Sequence, residues 1–306
     1  MRAYSCHHFV LPLPEGHRFP MTKYRRLHER VAAHGGALGI SLHEPAAAGI
    51  DDLLRAHDEG YVRRVLDGAL STSELRRIGF PWSLQMVERS RRSSGGTLAA
   101  LAEALRGDGV AVNLAGGTHH AHADRGGGYC VFNDTVVAAR HVQAARLATR
   151  VLVIDLDVHQ GDGTASICAG DPSIYTLSLH AARNYPALKA QGDLDVALPD
   201  GCDDAAYLDA LAGALPRAIA EARPDAAIYL AGADTYGGDR LGFLDLSKPG
   251  LAERDRMVFE ACARHDLPLA VTMAGGYAED VEDIVDIHFA TVRAAAAHAA
   301  RVRRRA

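Results

Sequence analysis

Arg150-Val151-Leu152-Val153-Ile154-Asp155-Leu156-Asp157-Val158-His159-Gln160-Gly161-Asp162-Gly163 is the stretch that decides how this chain is read. Its first half is a continuous apolar, β-branched run, and a run without polar alternation is what a strand covered on both faces requires. Its second half turns polar and glycine-flanked, so the strand ends in a loop dense with carboxylates and an imidazole. Asp157 and His159 stand two residues apart just past the strand. In extended backbone both side chains then project to the same side, and one oxygen and one nitrogen donor can grip a single ion.

Four further runs share this character with Arg150 to Asp155: Val110 to Leu114, Ser173 to Ser178, Asp225 to Ala231 and Pro268 to Met273. Segments of helical period separate them, at Ala46 to Ala69, Ser83 to Leu105, Asp134 to Ala148, Asp204 to Ala222, Pro249 to His265 and Ala278 to Arg301. This alternation predicts the α/β class: a parallel β-sheet sandwiched by α-helices, one domain over residues 1–306, with the active site at strand C-terminal ends. Ser93-Ser94-Gly95-Gly96 is expected to interrupt the second helix, and the long connections Arg2 to Pro20 and Ala181 to Asp200 to form rim loops.

At 306 residues, 48% hydrophobic and 23% charged, the chain can bury a large core, which excludes intrinsic disorder. No apolar run approaches the roughly 18 residues that span a bilayer, and Met1 to Pro20 lacks an apolar signal core. The expectation is a soluble, cytoplasmic protein. A net charge of −5, from 33 basic and 38 acidic residues, argues against a broad nucleic-acid surface and suits a cationic or neutral substrate. The tail arginines Arg303, Arg304 and Arg305 read as a solvated helix end. Cys6, Cys130, Cys168, Cys202 and Cys262 never fall in CxxC spacing and read as buried, inert thiols.

Four of the five strands run into polar clusters: Gly116-Gly117-Thr118-His119-His120, Asp155 to Gly163, Ala231-Gly232-Ala233-Asp234, and Ala274-Gly275-Gly276-Tyr277. A catalytic zinc site needs three protein ligands and an open position, and Asp234 is the natural third after Asp157 and His159. Fe(II), Co(II) or Mn(II) also suit such a hard donor set. His119 and His120 follow a glycine turn that allows close backbone approach, and imidazole suits proton transfer near neutral pH. Asp155 and Asp162 can fix their tautomers. Two glycines bring Tyr277 into the cleft, where its phenol can donate to a developing oxyanion. Gly126-Gly127-Gly128-Tyr129-Cys130 can line a channel too narrow for larger residues.

The ordered set GGTHHA (116–121), GGYCVFND (127–134), DLDVHQGDG (155–163), SLH (178–180), AGAD (231–234) and GGY (275–277) resembles the zinc-dependent histone deacetylase family over about residues 110 to 280. PEGHRFPMTKY (14–24) and the loop from Ser178 to Gly201 look most like its class IV branch and bacterial relatives. The resemblance implies a single-domain arginase/deacetylase-type fold, with zinc held by Asp157, His159 and Asp234. It implies His120 as general base and then acid, paired with Asp162, and His119 as electrostatic partner, paired with Asp155. Tyr277 would polarise the amide carbonyl, and Gly128, Tyr129 and Tyr185 would line a tunnel for the substrate. Asp155, Asp157, His159, Ser178 and Leu179 match a structural potassium site.

The activity implied is removal of acyl groups, acetyl or longer, from the ε-amino group of lysine in proteins; a small acylated amine such as an acetylpolyamine is the alternative substrate. A binuclear manganese ureohydrolase and a silent acyl-lysine binder are more distant readings. One departure stands out. Class I and II relatives carry a rim aspartate roughly where this chain has Gly79-Phe80-Pro81-Trp82, and no carboxylate is present there. Phe80 and Trp82 would suit contact with an apolar acyl chain or packing in the core.

Overall fold

The structure, a computed structural model, describes residues 1–305, with side chains through Val302. The tail side chains from Arg303 to Arg305 therefore lie outside the described part. In chain order the elements are β1 (Arg2–Tyr4), α1 (Thr22–His34), β2 (Ser41–His43), α2 (Ile50–Leu53), α3 (Glu59–Leu66), α4 (Thr72–Ile78), α5 (Leu84–Arg106) and β3 (Val110–Asn113). There follow α6 (Asp134–Ala144), β4 (Val151–Asp155), α7 (Asp162–Cys168), β5 (Ile174–Ala181), β6 (Leu194–Leu198), α8 (Asp204–Ala222), β7 (Ala226–Leu230), α9 (Lys248–Arg264), β8 (Leu269–Thr272) and α10 (Val281–Arg305).

The eight strands form one sheet in the order β2-β1-β3-β8-β7-β4-β5-β6, every neighbouring pair parallel. Successive side chains of a strand point to opposite faces, and the central strands divide accordingly. Val110, Val112, Leu152, Ile154, Tyr229, Leu269 and Val271 pack on one side with α1, α8, α9 and α10. Ala111, Val151, Val153, Ile228 and Ala270 pack on the other with α5 and α6. The sheet is thus sandwiched by helices, as the continuous apolar runs demand.

The five strands expected from sequence are a contiguous central block, β3-β8-β7-β4-β5. The other three flank it. β2 and β6 are the edges, with exposed residues alternating along them, and β1 is only three residues long, so none carries the apolar signal of a doubly covered strand. As a result the expected loops Arg2 to Pro20 and Ala181 to Asp200 contain β1, the end of β5 and β6.

Two helix expectations need correction. Ala46 to Ala69 is not one helix but α2 and α3, because the intervening residues are tied elsewhere: the His57 ring bridges His122 O (2.9 Å) and Asn133 N (2.9 Å), and Asp58 N donates to Ala123 O (2.8 Å). Ser93-Ser94-Gly95-Gly96 does not interrupt α5, which is continuous. These small residues let the helix lie against its neighbours: a Cβ on Gly95 would stand 1.9 Å from Ala46 O, and one on Gly96 2.7 Å from Asn113 Oδ1.

Candidate active site

The C-terminal ends of β3, β4, β5, β7 and β8 open on a cavity of about 370 Å³. The loop after β4 presents Asp157 and His159 to it, and the loop after β7 sets Asp234 directly against them, fully buried. One donor atom from each lies within 4.8 Å of the others, and all three residues are buried. His159 Nδ1 faces both carboxylates, at 3.0 Å from Asp157 Oδ1 and 3.3 Å from Asp234 Oδ2.

This donor set fits a divalent metal. Asp234 Oδ2 is buried and makes no hydrogen bond among the described residues, with only the His159 ring 3.3 Å away, which is costly for a carboxylate unless a cation completes it. Burial and the neighbouring Asp157 charge push Asp234 up to about 7. The glycines leave room for the cluster: a Cβ on Gly275 would fall 1.8 Å from Asp234 Oδ2 and 2.6 Å from Asp157 Oδ2. Outer contacts fix the ligands, since Asp157 Oδ2 accepts from Gly275 N (2.7 Å) and Asp234 Oδ1 from Val158 N (3.0 Å).

The loop after β3 places His119 and His120 beside this group. His119 Nδ1 lies 2.7 Å from Asp155 Oδ2, and His120 Nδ1 lies 2.6 Å from Asp162 Oδ1 at the start of α7. The two imidazoles are driven apart electrostatically. Burial opposes a charge on His119, but Asp155 and Asp157 overcome it and raise its pKa to about 9. Burial and the adjacent His119 push His120 down to about 3, against the pull of Asp162. Two imidazoles shifted in opposite directions thus sit 4.1 Å apart, centroid to centroid.

Tyr277 reaches the cavity from the loop after β8, and burial holds its phenol well above the usual range, so it stays protonated. Gly128, Tyr129 and Tyr185 form walls nearer the solvent. Gly128 has φ +51°, and a Cβ there would meet the His120 ring at 2.5 Å, so only glycine fits beside that imidazole. Tyr185, 45% exposed, stands edge-on to His120 with centroids 4.8 Å apart. Asp155, the last residue of β4, pairs with Ser178 in the interior of β5, so Asp155, Ser178 and Leu179 lie on adjacent strands next to the loop that carries Asp157 and His159.

Phe80 and Trp82 do not line the cavity. Phe80 packs edge-to-face on Phe19 at 4.9 Å, and the Trp82 indole donates to Val65 O at 2.8 Å, so both belong to the core under the rim. The histidines His7 and His8 also stay outside; His7 stacks on His28 at 3.6 Å. The five cysteines are free and buried.

Several supports went unread in the sequence. The buried Asp134 carboxylate accepts from Gly117 N (2.9 Å), Thr118 N (2.6 Å), Thr118 Oγ1 (2.6 Å) and, by a short bond, Thr97 Oγ1, and so fixes the turn that carries the histidine pair. Asp239 accepts from Tyr277 N (2.6 Å), and buried Lys23 donates to Ala274 O (3.3 Å) and Gly276 O (3.2 Å), holding the tyrosine loop. Asp134 closes the string GGYCVFND and Lys23 falls within PEGHRFPMTKY, so both carried an available signal; Asp239 carries none.

A family model described as "Histone deacetylase domain" matches residues 17–292. An uncharacterised protein of Picosynechococcus sp. is 42% identical over 287 residues, covering 94% of this chain and 95% of that one. Histone deacetylase 2 of Arabidopsis thaliana is 32% identical over 270 residues, 85% of this chain and 70% of that protein. Among solved structures, the HDA15 HD domain superposes with a TM-score of 0.81 at 21% identity, over 96% of this chain and 90% of that chain. Acetylpolyamine aminohydrolase from Burkholderia pseudomallei gives a TM-score of 0.76 at 23% identity, over 97% and 98%. At those identities the two structures speak for the fold. Among the described residues no helix is long and apolar enough to cross a membrane.

Proposed function

The chain belongs to the histone deacetylase family, and from that membership we propose that it is a zinc-dependent amide hydrolase removing acyl groups from the ε-amino group of lysine in proteins, with residues 1–306 as one catalytic domain. The observation that carries the reading is the buried Asp157–His159–Asp234 donor set at the inner end of a cavity that also holds His120 and Tyr277. Zinc would be held by these three residues, with Fe(II), Co(II) or Mn(II) as competent substitutes. When bound, such an ion supplies Lewis acidity toward a carbonyl and makes a nearby water more acidic.

The chain's own residues supply the rest. Gly128, Tyr129 and Tyr185 surround the aliphatic stem of the acylated lysine and exclude bulk water. Tyr277 keeps its proton and donates it as a hydrogen bond to the acyl oxygen as negative charge develops there. Neutral His120, steered by Asp162, takes a proton from the attacking water and then gives it to the departing amine, so that acid and amine leave with the proton count unchanged. His119, held cationic by Asp155, faces the same charge development without transferring a proton. Potassium would brace the strand ends through Asp155, Asp157, His159, Ser178 and Leu179. The five free cysteines accord with a cytoplasmic setting.

The test is hydrolysis of one lysine peptide carrying acetyl, butyryl, octanoyl or myristoyl groups, beside free acetylpolyamines, with zinc-loaded enzyme. Turnover of an acyl-peptide, lowered about 10²–10³-fold in Tyr277→Phe, is expected, and the preferred chain length reports pocket depth. Activity confined to free amines would overturn the protein-lysine reading in favour of small-molecule deacetylation.

A further inference from the structure

The mouth of the cavity carries charge of one sign. Asp157, a metal ligand, is the only carboxylate among the described lining residues; the cations there outside the histidines are Arg76 and Arg77, from the last turn of α4. Both are exposed, and neither guanidinium makes an ion pair or hydrogen bond among the described residues. Cations suit a helix C-terminus, but that role is indifferent to direction, and these two border the cavity.

Arg77 is also fixed to the wall. Its carbonyl accepts from Gly128 N (3.1 Å), and Ile78 O accepts from Tyr129 N (2.7 Å), so the end of α4 is stitched to the glycine loop. Gly127 lets two side chains converge: a Cβ there would lie 3.6 Å from Arg77 Cγ and 3.2 Å from the Tyr185 hydroxyl. Burial and the charge of Asp162 raise the pKa of that phenol, and the charges of Arg77 and Arg125 work against the rise, so the guanidinium field also reaches the passage.

We infer that the substrate carries a carboxylate close to the acylated lysine, received by Arg77 with Arg76 beside it. The inference rests on the acyl-lysine reading and narrows it: acidic sequence context or the α-carboxylate of a free acyl-lysine is favoured, and polycationic amines or arginine- and lysine-rich tails are disfavoured. The overall negative charge of the chain suits a cationic or neutral substrate; at the mouth the two arginines favour an anionic group instead, because screening confines recognition to charges within about 10 Å.

The experiment compares kcat/KM on acetyl-lysine peptides flanked by Asp, Ala or Lys, and on free Nε-acetyl-lysine against its α-amide, at low and high salt. Wild type is expected to prefer Asp over Lys flanks by about five-fold or more at low salt, shrinking at high salt. Arg76→Gln/Arg77→Gln should bring the ratio toward one and Arg76→Glu/Arg77→Glu should invert it. A preference for free acetyl-lysine over its amide, without a flank effect, identifies the α-carboxylate as the source. Equal rates on all flanks and on both free forms, or a flank preference that survives the double Gln variant, overturns the inference while hydrolysis of the Ala-flanked peptide leaves the function intact. If only acetylpolyamines are cleaved, the acyl-lysine reading fails with it. Binding of the same labelled peptides to Tyr277→Phe by fluorescence anisotropy gives the charge ratio without turnover, and a ratio of one there overturns the inference independently.

Discussion

The two ends of one cavity are built on opposite principles. At the inner end His119, His120, Asp155, Asp157, His159, Asp162 and Asp234 are all buried, and nearly every polar atom has a named partner. At the mouth Tyr185 is 45% exposed, and the Arg76 and Arg77 side chains stand in solvent without partners among the described residues. Buried polar networks specify one geometry, since each unmet group carries the full cost of desolvation. An exposed arginine has no such constraint and can reorient toward what arrives. On the proposed reading, the reaction is set where the protein is rigid and the choice of substrate where it is not.

Substitution can break or sharpen that contrast. The largest effect is expected for Asp157→Ala or His159→Ala: metal content falls from about one ion per chain toward zero, and hydrolysis drops about a thousand-fold or more. A full metal complement in either variant, measured by mass spectrometry after dialysis, would sink the ligand assignment. Tyr277→Phe should retain metal and lose about 10²–10³ in kcat, the usual effect of deleting one oxyanion donor; unchanged turnover would remove the tyrosine from the mechanism.

Next comes a residue that never touches substrate. Asp134→Ala strands the donors of Gly117, Thr118 and Thr97 in a buried place, and chemical denaturation should show about 3 kcal/mol of lost stability. A loss below about 0.5 kcal/mol would mean the turn holds itself, in the range of an ordinary surface change. The smallest effect belongs to the mouth. Tyr185→Ala should raise KM about three-fold with kcat nearly unchanged, the signature of uniform binding. A fall in kcat matching that of Tyr277→Phe would erase the distinction between the two ends.

The legibility of the sequence follows the same divide. The central strands were readable because burial on both faces writes a continuous apolar run into the local sequence, and the clusters at their ends were readable because glycine, Asp and His crowd together just where such runs stop. The edge strands β2 and β6 share their residues with solvent and carry no such mark. Phe80 and Trp82 were ambiguous for a related reason: an aromatic residue near a rim looks the same in sequence whether it faces the cavity or the core, and only the Phe19 ring and Val65 O decided it.

By itself, the order of residues determined the α/β class, the central strands and the short-range pairing of Asp157 with His159, because these depend on periodicity and on neighbours two residues apart. Tertiary structure alone decided that Lys23 and Asp239 brace the Tyr277 loop, that small residues in α5 make room for the sheet, and that Arg76 and Arg77 border the passage. Such contacts join residues as far apart as Lys23 and Gly276. Chain closure over that distance leaves no local pattern, so nothing short of the folded chain reveals them.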